Sequence, residues 1–211
     1  MTNAPRPDCR PGWRNSVVGY IRQEAQPPDK FGHQPRLYAL AVKIAEGEGV
    51  AFDDDILFAA AWMHDLGVFL GHRPKDPEAL ARWDHVPYTV ARTRELLAAW
   101  GFPLEKLDAV AGAIETHQPK DEPREIEAVL LRDADILEQL GAIGALRAFV
   151  KVGRDTRYQT FSPVFTILQR LLNELPPRLH LNHSKHLSIE RVKTLRDFLA
   201  AIEAEAGELL L

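Results

Sequence analysis

Apolar residues recur along this chain with the 3.6-residue period of a helix, and no run alternates with the period of two that a strand requires. A first helix is expected over Trp13 to Glu24, with Pro27-Pro28 ending it. A second opens near Asp29 or Lys30 and runs to about Glu46, with His33, Leu37, Leu40 and Ile44 on one face. Asp53 is a plausible N-cap for a third. Further helices are expected over about Pro77 to Arg82, His85 to Trp100, Pro103 to His117, and onward from Pro123 or Glu125. The last two cover about Pro163 to Glu174 and Ser188 to Glu205. Lys151 to Thr160 reads as a polar surface loop, and residues 1 to about 11 as a loose, proline-rich leader. No internal repeat is evident, and the fold class is all-α. The domain reading is a leader and first helix over 1–28, then one helical domain with C-terminal helices over 29–211.

With 211 residues, 45% of them apolar and 27% charged, the chain can bury a core of its own, as soluble globular proteins do. A net charge of -4, with no basic stripe, argues against a general nucleic-acid or anionic-membrane binder. The single cysteine, Cys9, excludes an internal disulfide framework and reads as an incidental thiol in a reducing compartment. The N-terminus has no apolar secretory segment, and no run spans a bilayer, so a cytoplasmic location is expected.

The chemistry centres on Trp62-Met63-His64-Asp65-Leu66-Gly67. An apolar helix leads into an adjacent histidine and aspartate, and Gly67 reads as the helix stop. His64 falls four residues after Ala60 and seven after Leu57, on the buried stripe, where a polar group needs a partner. Other histidines sit at helix ends in a repeating order. His33 opens a helix and His64 closes one; His85 opens a helix and His117 closes one. Asp133 takes a stripe position among Ile126, Val129, Leu130 and Leu137, near the start of its helix. With antiparallel packing of these helices, all five positions and Asp65 converge on one rim. Imidazoles and carboxylates without thiols favour Mn, Fe, Co, Ni, Zn or Mg, and such an ion lowers the pKa of bound water toward neutrality.

The order His33, His64-Asp65, Asp133 resembles the signature of the HD superfamily of metal-dependent phosphohydrolases, an all-helical fold. His33-Gln34-Pro35-Arg36 is similar to an H-x-x-R opening. Asp133-Ala134-Asp135-Ile136-Leu137-Glu138, followed by Gly141-Ala142-Ile143-Gly144, is similar to a segment of small bacterial HD hydrolases. The resemblance implies that His33, His64, Asp65 and Asp133 bind one divalent ion, with Asp65 and His64 catalytic. Asp135 is two residues off the stripe and is expected to orient a neighbour or cap the following turn. His85 and His117 are candidates for a second ion or for substrate contact. Arg36, Arg73, Lys75 and Arg147 are candidates for phosphate. His180, His183 and His186 read as an exposed polar turn.

The expected function is hydrolysis of a nucleotide or other small phosphate ester by metal-bound hydroxide. The alternatives are a dinuclear iron oxygenase, which some HD proteins with extra histidines are, and a catalytically silent nucleotide- or metal-binding sensor. No heptad run is present, and Trp13, Trp83 and Trp100 read as an exposed contact surface.

Overall fold

The computed structural model describes residues 12–154 and 158–209, and in them the periodic stretches are helices, with no strand. In chain order these are α1 (Gly12–Glu24), α2 (His33–Glu48), α3 (Asp54–Met63), α4 (Pro77–Ala81) and α5 (His85–Ala99). Then come α6 (Leu107–Glu115), α7 (Ile126–Glu138), α8 (Gly141–Phe149), α9 (Phe161–Glu174) and α10 (Asn182–Ala206). The leader over 1–11, with Cys9, lies outside the described residues, as do 155–157 of the expected loop and 210–211. The chain divides into two compact units, residues 1–36 with 54–115 and residues 37–53 with 116–211. No helix among the described residues is long and apolar enough to cross a membrane.

In the first unit, α3 is the central element. Asp54 and Asp55 occupy its first turn, where the helix dipole favours negative charge. Every residue from Leu57 to Met63 is buried, as suits a helix with no wet face. α1 and α6 pack against it, and α5 packs against α6. α1 contributes Trp13, Val17 and Ile21, a single stripe spaced by four. Trp13 is not part of the expected exposed surface. It is 4% exposed and meets Phe58 and Phe102 edge-on at 5.6 and 4.8 Å. Arg14 is buried beside it, and its charge is met there: the guanidinium lies over Phe58 and bonds Asp54 and Asp55 at 2.8 and 2.6 Å. Trp83 and Trp100 are half-buried, Trp83 giving its indole N–H to Gly67 and Trp100 packing on Tyr20. The expected tryptophan surface therefore does not form.

In the second unit α10 packs along α7, α8 and α9 and buries Leu195 and Leu199. It begins at Asn182, so His183 and His186 lie in its first turns rather than in a free turn. The G-A-I-G segment both breaks and restarts the chain. Gly141 has φ +76°, a left-handed conformation that suits glycine, and it opens α8. A Cβ on Gly144 would collide with the carbonyl of Gln139, so the second glycine permits a close backbone approach.

Two other boundaries differ from the periodic reading. A 3-10 turn over Pro28–Gly32 precedes α2, which makes His33 its first residue. At the far end of the first unit, α6 stops at Glu115, so His117 lies two residues beyond the helix rather than closing it.

Candidate metal centre

His33 begins α2, and His64 follows the last residue of α3 while its N–H still reaches Ala60 in helical fashion. The two imidazoles meet inside the first unit, with Nε2 to Nε2 at 3.3 Å. Asp65 Oδ2 lies 3.6 Å from His64 Nε2 and 3.9 Å from His33 Nε2. Ligand atoms of these three residues all fall within 4.8 Å of one another. His64 Nδ1 lies 3.0 Å from the Ala61 carbonyl oxygen, which assigns the ring proton to Nδ1 and turns the Nε2 lone pair toward His33. Two nitrogens each about 2.1 Å from a single ion stand about 3 Å apart, so the pair fits a divalent metal. His33 and His64 are 3% and 0% exposed, whereas the Asp65 side chain retains 24%, which leaves solvent access on the carboxylate side.

The second carboxylate oxygen faces another histidine: Asp65 Oδ1 is 3.7 Å from His85 Nε2. His85 is the first residue of α5, where Asp84 caps the helix by accepting the Val86 N–H. Gly67 governs how closely this helix start approaches. It does not act as the stop of α3, which ends four residues earlier, and its φ is not positive. It sits in a 3-10 turn, Leu66–Val68, whose backbone lies against α5. A Cβ on Gly67 would lie 2.9 Å from both His85 O and Thr89 Oγ1. The Gly67 N–H donates to Thr89 Oγ1 at 3.0 Å, and its carbonyl accepts from Trp83 Nε1 at 2.9 Å. Tyr88 and Thr89 on α5 both have hydrogen-bond partners. Thr89 holds the HD turn, and Tyr88 bonds His72 at 2.7 Å.

In the second unit, His117 is 3% exposed and Asp133 is fully buried in α7. Both Asp133 oxygens accept backbone N–H groups, from His180 at 3.1 and 3.2 Å and from Leu181 at 3.0 Å. The residues around 180 are thus an integral part of the Asp133 environment, which the exposed-turn reading missed. His180 is half-buried and its ring meets Glu122 at 3.0 Å. No sequence signal marks this contact, because a backbone N–H is common to nearly every residue. Arg132, 1% exposed, precedes Asp133, and burial pulls its pKa below the ordinary value while the Asp133 charge opposes the shift. Asp135 accepts from the Gln139 side chain at 3.1 Å, one turn on.

The HD domain matches residues 31–140, just over half of the sequence, and so takes in His33, His64, Asp65 and Asp133. The chain belongs to the HD domain family. No curated protein matches it. Among solved structures, YpgQ of Bacillus subtilis in complex with ADP is 23% identical, with a TM-score of 0.67 over 93% of this chain and 99% of that one. An HD-superfamily hydrolase of Bacillus thuringiensis is 20% identical, with a TM-score of 0.65 over 91% and 95% of the two chains. A predicted HD-superfamily hydrolase from an uncultured Thermotogales bacterium is 21% identical, with a TM-score of 0.60 over 92% of each. These likenesses show a shared fold.

The basic candidates differ in their surroundings. Arg36 is exposed one turn into α2 and folds back toward Gly32, where a Cβ would lie 2.9 Å from its Nη1. Arg73 is half-buried and Lys75 exposed in the connection after the HD turn. Arg147, on α8, lies 3.6 Å from the buried carboxylate of Glu138 and donates to the Glu138 carbonyl at 3.3 Å.

Proposed function

We propose that this HD protein is a metal-dependent phosphohydrolase acting on a nucleotide or another small phosphate ester. The single observation that carries the reading is the trio of His33, His64 and Asp65, two buried imidazoles and a solvent-reaching carboxylate within one ligand sphere. Those residues would hold a divalent ion of the Mn, Fe, Co, Ni, Zn or Mg class, with Asp133 as the fourth ligand by the family order. Such an ion supplies Lewis acidity, lowering the pKa of water toward neutrality and neutralising phosphate charge. His64, locked by the Ala61 carbonyl, presents one fixed nitrogen. Asp65 uses Oδ2 toward the two histidines and Oδ1 toward His85, so we assign the Asp65–His85 pair to the proton released as water attacks phosphorus. Arg36, Arg73, Lys75 and Arg147 are the groups to receive the phosphate, and His85 and His117 contact substrate or hold a second ion. The complex of YpgQ with ADP supports a nucleotide as the first substrate class to test.

The test is release of phosphate and pyrophosphate from a nucleotide and phosphomonoester panel. Protein is loaded separately with Mn, Co, Ni, Mg and Fe(II), beside a His64→Ala/Asp65→Ala variant. Metal-dependent release that disappears in the variant is expected. Silence across the panel with metal shown to be bound overturns the reading, and oxygen-dependent turnover with two irons per chain would replace it with an oxygenase.

A further inference from the structure

We propose that Arg132 is a positioning residue, holding with one guanidinium the two irregular segments that carry His117 and face Asp133. The inference rests on the reading of His117 and Asp133 as site residues. Between α6 and α7 the chain runs without a helix through His117, Gln118 and Pro119, and a turn gives the Gln118 carbonyl the Asp121 N–H at 3.0 Å. Arg132 adds to that turn: Nε donates to the Gln118 carbonyl at 3.3 Å and Nη2 to the Pro119 carbonyl at 2.8 Å. Its remaining arm, Nη1, donates to the Arg178 carbonyl at 2.7 Å. Arg178 lies just before His180 and Leu181, whose N–H groups enter the Asp133 carboxylate. Arg178 in turn donates to the Pro119 carbonyl at 3.2 Å, a second tie between the same two segments.

Residues 132 and 133 therefore act on one stretch of chain from both sides. Arg132 takes a carbonyl from it and Asp133 takes its N–H groups. The same guanidinium fixes the two peptides after His117. Burying a cation only to fill space is unfavourable, and an apolar side chain would serve as well. What an apolar side chain cannot supply is a planar fork reaching three carbonyls on two segments, and the compact ammonium of lysine cannot span them either.

The experiment compares Arg132→Met, Arg132→Lys and Leu195→Ala, the last a fully buried core change in α10 whose apolar side chain makes none of these hydrogen bonds. Each full-length variant is measured for thermal midpoint and for Mn(II) dissociation constant by titration calorimetry. Arg132→Met is expected to weaken Mn(II) binding by about 10- to 100-fold, as loss of a residue supporting metal ligands does. Arg132→Lys should fall between it and wild type. Leu195→Ala should lower the midpoint yet leave the dissociation constant within about twofold of wild type. Where Arg132→Met fails to fold, the comparison of Arg132→Lys with Leu195→Ala decides. An arginine variant that binds Mn(II) no worse than Leu195→Ala makes Arg132 a structural clamp only and overturns the inference. Wild-type protein that binds no Mn(II) instead overturns the metal reading itself, before any variant is compared.

Discussion

At the scale of single residues, the site depends on atoms that are absent as much as on those present. Gly67 has no side chain, and that lets the start of α5 lie on the HD turn with His85 Nε2 3.7 Å from Asp65. Gly67→Ala forces a methyl group to 2.9 Å from a backbone carbonyl and a threonine hydroxyl. The carbonyl belongs to a helix and cannot yield cheaply, so a cost of about 1–3 kcal/mol is expected. Thermal melts check that cost. Hydrolysis assays of the same variant should show kcat falling further than stability alone explains, because His85 is displaced from Asp65. Thr89→Ala, which leaves the Gly67 N–H buried without its acceptor, should destabilise by a similar amount while sparing the close approach. The sequence marked His64 correctly as core-facing from its spacing to Leu57 and Ala60. It gave Gly67 the wrong role, because a glycine chosen for close approach and one chosen for a helix end look alike in one chain.

At the scale of elements, the helices were legible wherever an apolar stripe ran unbroken, and less so where polar residues were buried in pairs. α1 shows the difference. Its span from Trp13 to Glu24 was readable, but Trp13 read as surface, since Asp54 and Asp55, which pair with its neighbour Arg14, lie some forty residues away. α10 was expected to start at Ser188 and starts at Asn182, because its first turn is held by a distant carboxylate, Glu48, accepting the His183 N–H at 2.7 Å. The α1–α3 junction makes a pH-dependent contribution. Burial alone would raise the pKa of Asp55, but hydrogen bonds from Arg14 and Lys106 outweigh it and hold it below the ordinary 3.8. A carboxylate whose folded pKa is lowered stabilises the fold above its unfolded value and loses that contribution as pH falls through the folded value. Asp55→Asn should therefore cost about 1–2 kcal/mol at neutral pH, and the gap from wild type should close as pH drops below about 4. Urea melts at pH 7, 5 and 3 test this, and a gap that widens in acid would contradict it.

At the scale of the whole molecule, the proposed ion is a folding ligand as well as a chemical one. His33 and His64 are buried with their Nε2 atoms facing at 3.3 Å, so the folded chain alone brings two imidazole donors to one point. An ion that binds the folded chain and not the unfolded one adds about 2.7 kcal/mol of stability at a hundredfold excess over its dissociation constant. For a chain of about this length each kilocalorie moves the thermal midpoint by about 2–4 °C. Saturating Mn(II) should therefore raise the midpoint by about 5–11 °C over protein stripped with a chelator. In His64→Ala/Asp65→Ala the increment should vanish. A wild-type increment that persists in this variant would mean that the ion stabilises the chain elsewhere, and the trio would lose its claim to be the metal centre.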